Sequence, residues 1–171
     1  MSSNVDVMPE TSAPLSETLK ANDSSVVAPG TNVYLSFQGD PSQAFATAYS
    51  GVTYWFPTAG RTRIKAQLGF KGSELQEADT VKIISTETKL GNNNVLGAFA
   101  DKHECYYYQD TQGNKQSWQV NATSPRPDGK IQYGDGVLLT NEYYNNQQLV
   151  PENGWLTTKP DLSAYWIIEK A

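Results

Sequence analysis

The chain has 171 residues, enough for one domain with a sizeable core, and carries a formal charge of −5 with 18% charged residues, below the usual share of about a quarter. No basic run is present to neutralise phosphates, which argues against a nucleic-acid partner. Cys105 is the only cysteine, so an intrachain disulfide is excluded and a reducing compartment fits.

The N-terminus has neither the basic start nor the apolar stretch of a secretory signal. No segment approaches the roughly 20 apolar residues of a membrane span. The expectation is a soluble protein, cytoplasmic or released by a non-classical route. Residues 1–29 carry Asp6, Glu10, Glu17 and Asp23 against Lys20, with no aromatic residue. Such a segment cannot bury enough apolar area to offset its ordering entropy, and it reads as a disordered acidic tail. Within it, Ser24-Ser-Val-Val27 is a possible start of the first strand.

From Gly30 onward, short alternating segments are separated by turn residues, as in Val33-Tyr-Leu-Ser-Phe37, Val81-Lys-Ile83 and Val137-Leu-Leu139. Turn chemistry recurs at Gly39-Asp-Pro41, Pro57-Thr-Ala-Gly60, Gly91-Asn-Asn-Asn94, Thr111-Gln-Gly-Asn114, Pro127-Asp-Gly129 and Asn153-Gly154. Nowhere does a helical apolar stripe persist for three turns. Residues 30–171 therefore read as one all-β domain.

A degenerate repeat organises that domain. Leu75-Gln-Glu-Ala-Asp-Thr-Val-Lys-Ile83 matches Ile131-Gln-Tyr-Gly-Asp-Gly-Val-Leu-Leu139, and a fainter copy runs from Val27 to Leu35 with Thr31 at the Asp position. Copies two and three close alike, on Trp118-Gln-Val120 and Trp166-Ile-Ile168. In copy one the matching stretch is Thr62–Leu68, where Ile64, Ala66 or Leu68 would replace the tryptophan. Three β-rich copies predict a β-trefoil with pseudo-threefold symmetry. Asp79 and Asp135 read as turn residues whose carboxylates accept backbone N–H bonds, and Gly134 as permitting a backbone conformation that a Cβ would hinder.

The third copy, Ile131-Gln-Tyr-Gly-Asp-Gly-Val-Leu-Leu-Thr-Asn141 with Gln148-Leu149 and Tyr165-Trp-Ile-Ile168, resembles β-trefoil repeats of the form x-Tyr-Gly-Asp-x-Val-x-Leu-x-Asn that close on Trp-x-Ile. Such repeats occur in lectin-like, receptor-associated and toxin-accessory trefoils. Gln116-Ser-Trp118 resembles the Gln-x-Trp signature of ricin-type sugar-binding trefoils, although copy three has Ala164-Tyr-Trp166 and copy one nothing comparable. The resemblance implies a trefoil over residues 30–171 and a lectin-like function.

Catalysis finds little support. Asp101, His103 and Cys105 alternate and would share one face of a strand, where they could ligate a metal or let His103 activate Cys105. The alternative is a buried structural thiol. Neither a Gly-rich phosphate loop nor a Gly-x-Ser-x-Gly elbow occurs, and the acids are scattered. A non-catalytic module without metal or cofactor is expected.

Sugar recognition needs an aromatic face for C–H surface and amides or carboxylates for hydroxyls. Copy three offers Tyr143, Tyr144, Asn146 and Trp155; copy two offers Tyr107, Asp110 and Gln116; copy one has Tyr54-Trp55 with Asp40 and Gln43. The partners expected are glycans or glycoproteins. The alternative is a protein-binding trefoil, such as a protease inhibitor or a toxin-accessory, receptor-binding subunit. Its contact would be the loop 121–129, where Arg126 lies between Pro125 and Pro127.

Overall fold

The computed structural model describes residues 25–99 and 104–171. Most of the expected tail, residues 1–24, lies outside the described residues, as do Asp101 and His103. The fold is all-β, an antiparallel sheet of twelve strands. In chain order these are β1 (Asn32–Phe37), β2 (Ala44–Ser50), β3 (Trp55–Gly60), β4 (Ala66–Gly69), β5 (Thr80–Ser85), β6 (Val95–Ala98), β7 (Cys105–Tyr108), β8 (Trp118–Ala122), β9 (Gly136–Asn141), β10 (Gln148–Glu152), β11 (Trp155–Lys159) and β12 (Tyr165–Lys170).

Six strands pair in a closed ring, β1 with β4, then β5, β8, β9, β12 and back to β1. Closure removes the free edges that an open sheet would expose. The other six form hairpins β2–β3, β6–β7 and β10–β11, which touch one another through Trp55–Tyr107, Trp155–Thr58 and the bridge Glu104–Thr157.

The repeat seen in the sequence is a spatial relation. Val27, Leu75 and Ile131 are buried together, with Leu75 N donating to Val27 O and Ile131 N to Leu75 O. Gly30, Ala78 and Gly134 all have positive φ (80°, 68° and 91°), and their N–H groups donate to Leu68, Val120 and Ile168 in turn. The Asp79 and Asp135 carboxylates each accept from the N–H three residues earlier, Gln76 and Gln132, at 2.9 Å. Both act as turn residues, as their spacing predicts. Val27 is fully buried and Val26 bridges to Gln132, so the packed unit includes this stretch.

Trp118 is the register partner of Val81 and Trp166 that of Val137 on adjacent strands of the ring, while Val33 is paired with Ala66. Ala66 is therefore the copy-one counterpart of the two tryptophans. Both indoles are wholly buried, and their Nε1–H groups donate to Leu96 O (3.1 Å) and Leu149 O (2.9 Å). Each indole thus ties its ring strand to the adjoining hairpin. Phe37 and Phe45 pack edge-on against Trp166, with ring centroids 5.1 Å away in both cases. Alternation explains the core: in β5, Val81, Ile83 and Ser85 point inward, and in β9, Val137, Leu139 and Asn141 do.

Candidate functional site

The hairpins carry several aromatic residues that the core does not absorb. Trp155 opens β11, where the left-handed Asn153 (φ 53°) and Gly154 (φ 83°) turn the chain back from β10. Its indole remains 42% exposed. The ring meets Tyr49 at 5.3 Å and Phe56 at 6.4 Å, both nearly perpendicular to it. Phe56 in turn meets Tyr106, which lies stacked between Tyr54 (4.1 Å) and Phe99 (4.0 Å). All three hairpins thus contribute to one aromatic surface, because β3, β7 and β11 are brought side by side.

A cavity of about 500 Å³ opens beside Trp155. Phe56, Pro57, Trp155 and Leu156 supply apolar wall; Glu104, Glu152, Asn153 and Thr157 supply carboxylate, amide and hydroxyl groups. Burial and the neighbouring Tyr54 raise the Tyr106 phenol to about 12, so it stays neutral at physiological pH. The cavity can take a ligand that offers an apolar face on one side and hydroxyls or a cation on the other.

Of the residues expected to bind a ligand, Trp155 lies in this cavity. Tyr143, Tyr144 and Asn146 lie elsewhere, on the turn between β9 and β10. That turn is built by Asn141, whose buried Oδ1 accepts from Tyr143 N (3.0 Å) and Tyr144 N (2.9 Å). Tyr143 is 56% exposed, yet Lys115 Nζ stands 4.9 Å from its ring centroid and occupies one face. Tyr144 packs partly against the core, and Asn146 is exposed with its Oδ1 accepting from Gln147 Nε2. Copy three therefore splits into two separate surfaces.

In copy two the expectation needs correcting at Tyr107 and Gln116. Tyr107 is 4% exposed in the core, because alternation in β7 turns Cys105 and Tyr107 inward and Tyr106 and Tyr108 outward. Gln116 is fully buried. Its Oε1 accepts from Thr111 N and Gln112 N, and its Nε2 faces the carbonyls of Val95, Tyr108 and Gln109. It staples the segment after β7 to β6 and has no atom left for a sugar. Asp110 is exposed, with Oδ1 3.2 Å from Lys82 Nζ.

Arg126, the residue expected to carry a protein contact, is paired within its own domain. Its guanidinium folds back onto Asp135, with Nη2 at 2.6 Å from Oδ1 and Nε at 3.3 Å from Oδ2. To enter a partner's cleft the cation would have to give up two bonds on its own domain. Cys105 is buried and its thiol is pushed well above its ordinary value by desolvation, the opposite of an activated nucleophile. Among the described residues no three His, Cys, Asp or Glu side chains are grouped to hold a metal.

The residues missed from sequence are Tyr49, Phe56, Glu104 and Glu152. The Tyr106–Tyr108 run did carry a signal, since the buried Cys105 fixes the phase in which Tyr106 faces out. For Tyr49 and the two glutamates nothing local marks the meeting of three hairpins.

No protein-family model matches the chain, and no curated protein matches it significantly. Among solved structures, the lysenin pore and the complex of lysenin with phosphocholine both align with a TM-score of 0.67. Identity is 18% and 17%, over 86% of this chain and 49% and 46% of theirs. A Caenorhabditis elegans protein of unknown function gives 0.67 at 10% identity over 86% of this chain and 98% of its own. The water-soluble chlorophyll protein of Brassica oleracea var. Botrytis, with chlorophyll b, gives 0.62 at 9% over 85% and 93%. The chain spans about half the length of the lysenin structures. At such identities the likeness is one of fold alone. No helix among the described residues is long and apolar enough to cross a membrane.

Proposed function

We propose that this chain is a β-trefoil binding module, non-catalytic, that takes a carbohydrate in the cavity beside Trp155. The closed six-strand ring, the three hairpins and the threefold-matched turns at Gly30, Ala78 and Gly134 support the trefoil reading. The observation that carries the function is the exposed Trp155 indole in a cavity that also holds Glu104, Glu152 and Asn153. The indole would stack on the C–H face of a pyranose, while Glu152 and Asn153 accept from and donate to its hydroxyls. Tyr143 with Asn146, and Asp110, would form secondary contacts, each weak alone and useful only through avidity.

A second reading is supported by the perpendicular rings of Tyr49, Phe56 and Trp155 beside two carboxylates, an arrangement that also suits a quaternary ammonium group. Lysenin has been solved with phosphocholine, and a choline head group would place its cation against these rings. Glycan-array screening of the full chain beside Trp155→Ala tests the first reading, and calorimetric titration with phosphocholine tests the second. Selective glycan binding lost in the variant is the expected result. Phosphocholine binding without glycan binding transfers the site to the second reading, and the absence of both refutes the cavity as a binding site.

A further inference from the structure

Residues 41–60 are the longest stretch of this chain without Asp, Glu, Lys, Arg or His. They contain the whole β2–β3 hairpin, which projects from the ring beside Trp155. Its turn is closed by Gly51 N donating to Tyr54 O at 2.8 Å, and the Gly51 Cα lies so close to Phe56 that an added Cβ would sit 2.3 Å from the ring. Only glycine allows that approach, and Val52, the next residue of the turn, has a completely exposed side chain. Behind it stand Tyr49, 58% exposed, and Trp155. An apolar tip backed by Tyr and Trp, with no charge between, is the order of side chains that a bilayer interface accommodates.

We propose that the β2–β3 hairpin docks this protein on a zwitterionic phospholipid surface, with Val52 entering the acyl boundary and Tyr49 and Trp155 at head-group level. The charges near the hairpin select the lipid. Glu87 and Lys89 both reach Thr47 and Ala48 and lie 3.7 Å apart, so they offset one another. Glu152 is likewise offset, by Lys159 at 3.8 Å, while Glu104 in the adjoining cavity and the overall charge of −5 disfavour an anionic membrane. Attraction therefore comes from apolar burial rather than from counterion release. The inference goes beyond the cavity reading: lipid docking is expected even if the cavity takes no sugar.

The test is co-sedimentation of the full chain with phosphatidylcholine vesicles, with and without added phosphatidylserine, at low and high salt. Expected are binding to pure phosphatidylcholine, insensitivity to salt, and no gain from phosphatidylserine. Val52→Asp, at a site that touches no core, should keep the wild-type melting temperature and weaken vesicle binding by about tenfold or more, since one apolar side chain no longer enters lipid. Val52→Leu should retain binding. The proposal is overturned if the folded wild-type protein stays in the supernatant with phosphatidylcholine, if binding requires phosphatidylserine and vanishes with salt, or if Val52→Asp sediments as wild type.

Discussion

Replacing Gln116 with Ala separates a scaffold role from a sugar-binding role. The Gln116 carboxamide is wholly buried and makes five contacts to backbone groups, at 2.9–3.3 Å. Its Nε2 has two hydrogens and faces three carbonyls, so at least one bond is shared. After truncation, Thr111 and Gln112, both exposed, regain water at their N–H groups. The carbonyl of the buried Val95 does not, and it bears the desolvation cost of an unsatisfied group, about 1–3 kcal/mol. Loss of packed methylenes adds roughly 1 kcal/mol more. The sum, about 2–4 kcal/mol, corresponds to a fall in melting temperature of very roughly 5–15 °C for a domain of this size. Urea denaturation should show a lower midpoint with an unchanged slope, because the unfolded state is the same. Binding at the Trp155 cavity should persist in the folded fraction. A variant with wild-type stability that has lost ligand binding would refute the scaffold assignment and return Gln116 to the ligand.

Ala78 is the one non-glycine at the threefold-related turn with positive φ, so Ala78→Gly should stabilise by about 0.5–1 kcal/mol, the relief of left-handed strain exceeding the added chain entropy; urea titration measures it. Arg126→Ala should leave the urea midpoint close to that of the wild type, since the Asp135 pair is partly exposed, and should leave any inhibition of trypsin-like enzymes unchanged; urea titration and inhibition assays on both proteins check this. Tyr106 is raised above the ordinary phenol value of 10 to about 12. The neutral phenol therefore contributes stability that is full below pH 10 and is lost as pH rises through about 12, and an ultraviolet titration should resolve two late-ionising tyrosines, Tyr106 and the more deeply buried Tyr107, of which Tyr106→Phe removes the earlier.

The all-β class, the strand at Val33–Phe37 and the internal repeat follow from sequence, because alternation and turn residues act over a few positions and leave a direct imprint. Asp79, Asp135 and Gly134 were legible for the same reason: each acts on a neighbour three residues away or on its own φ. Trp118 and Trp166 were legible as matched repeat positions, and the structure places each near the start of a strand rather than at its end, while Ala66, their small counterpart, left no mark that distinguished it from Ile64 or Leu68. Gln116 and Tyr107 misled, since a buried staple and a core phenol use the same residue types as a sugar site. Their burial depends on hairpins that meet only in the folded chain. The cavity beside Trp155 belongs to that level too, because Phe56, Glu104, Glu152 and Trp155 lie on three hairpins far apart in sequence. Local chemistry wrote the strands and turns; only closure of the six-strand ring decided which aromatic faces were buried and which were left to solvent.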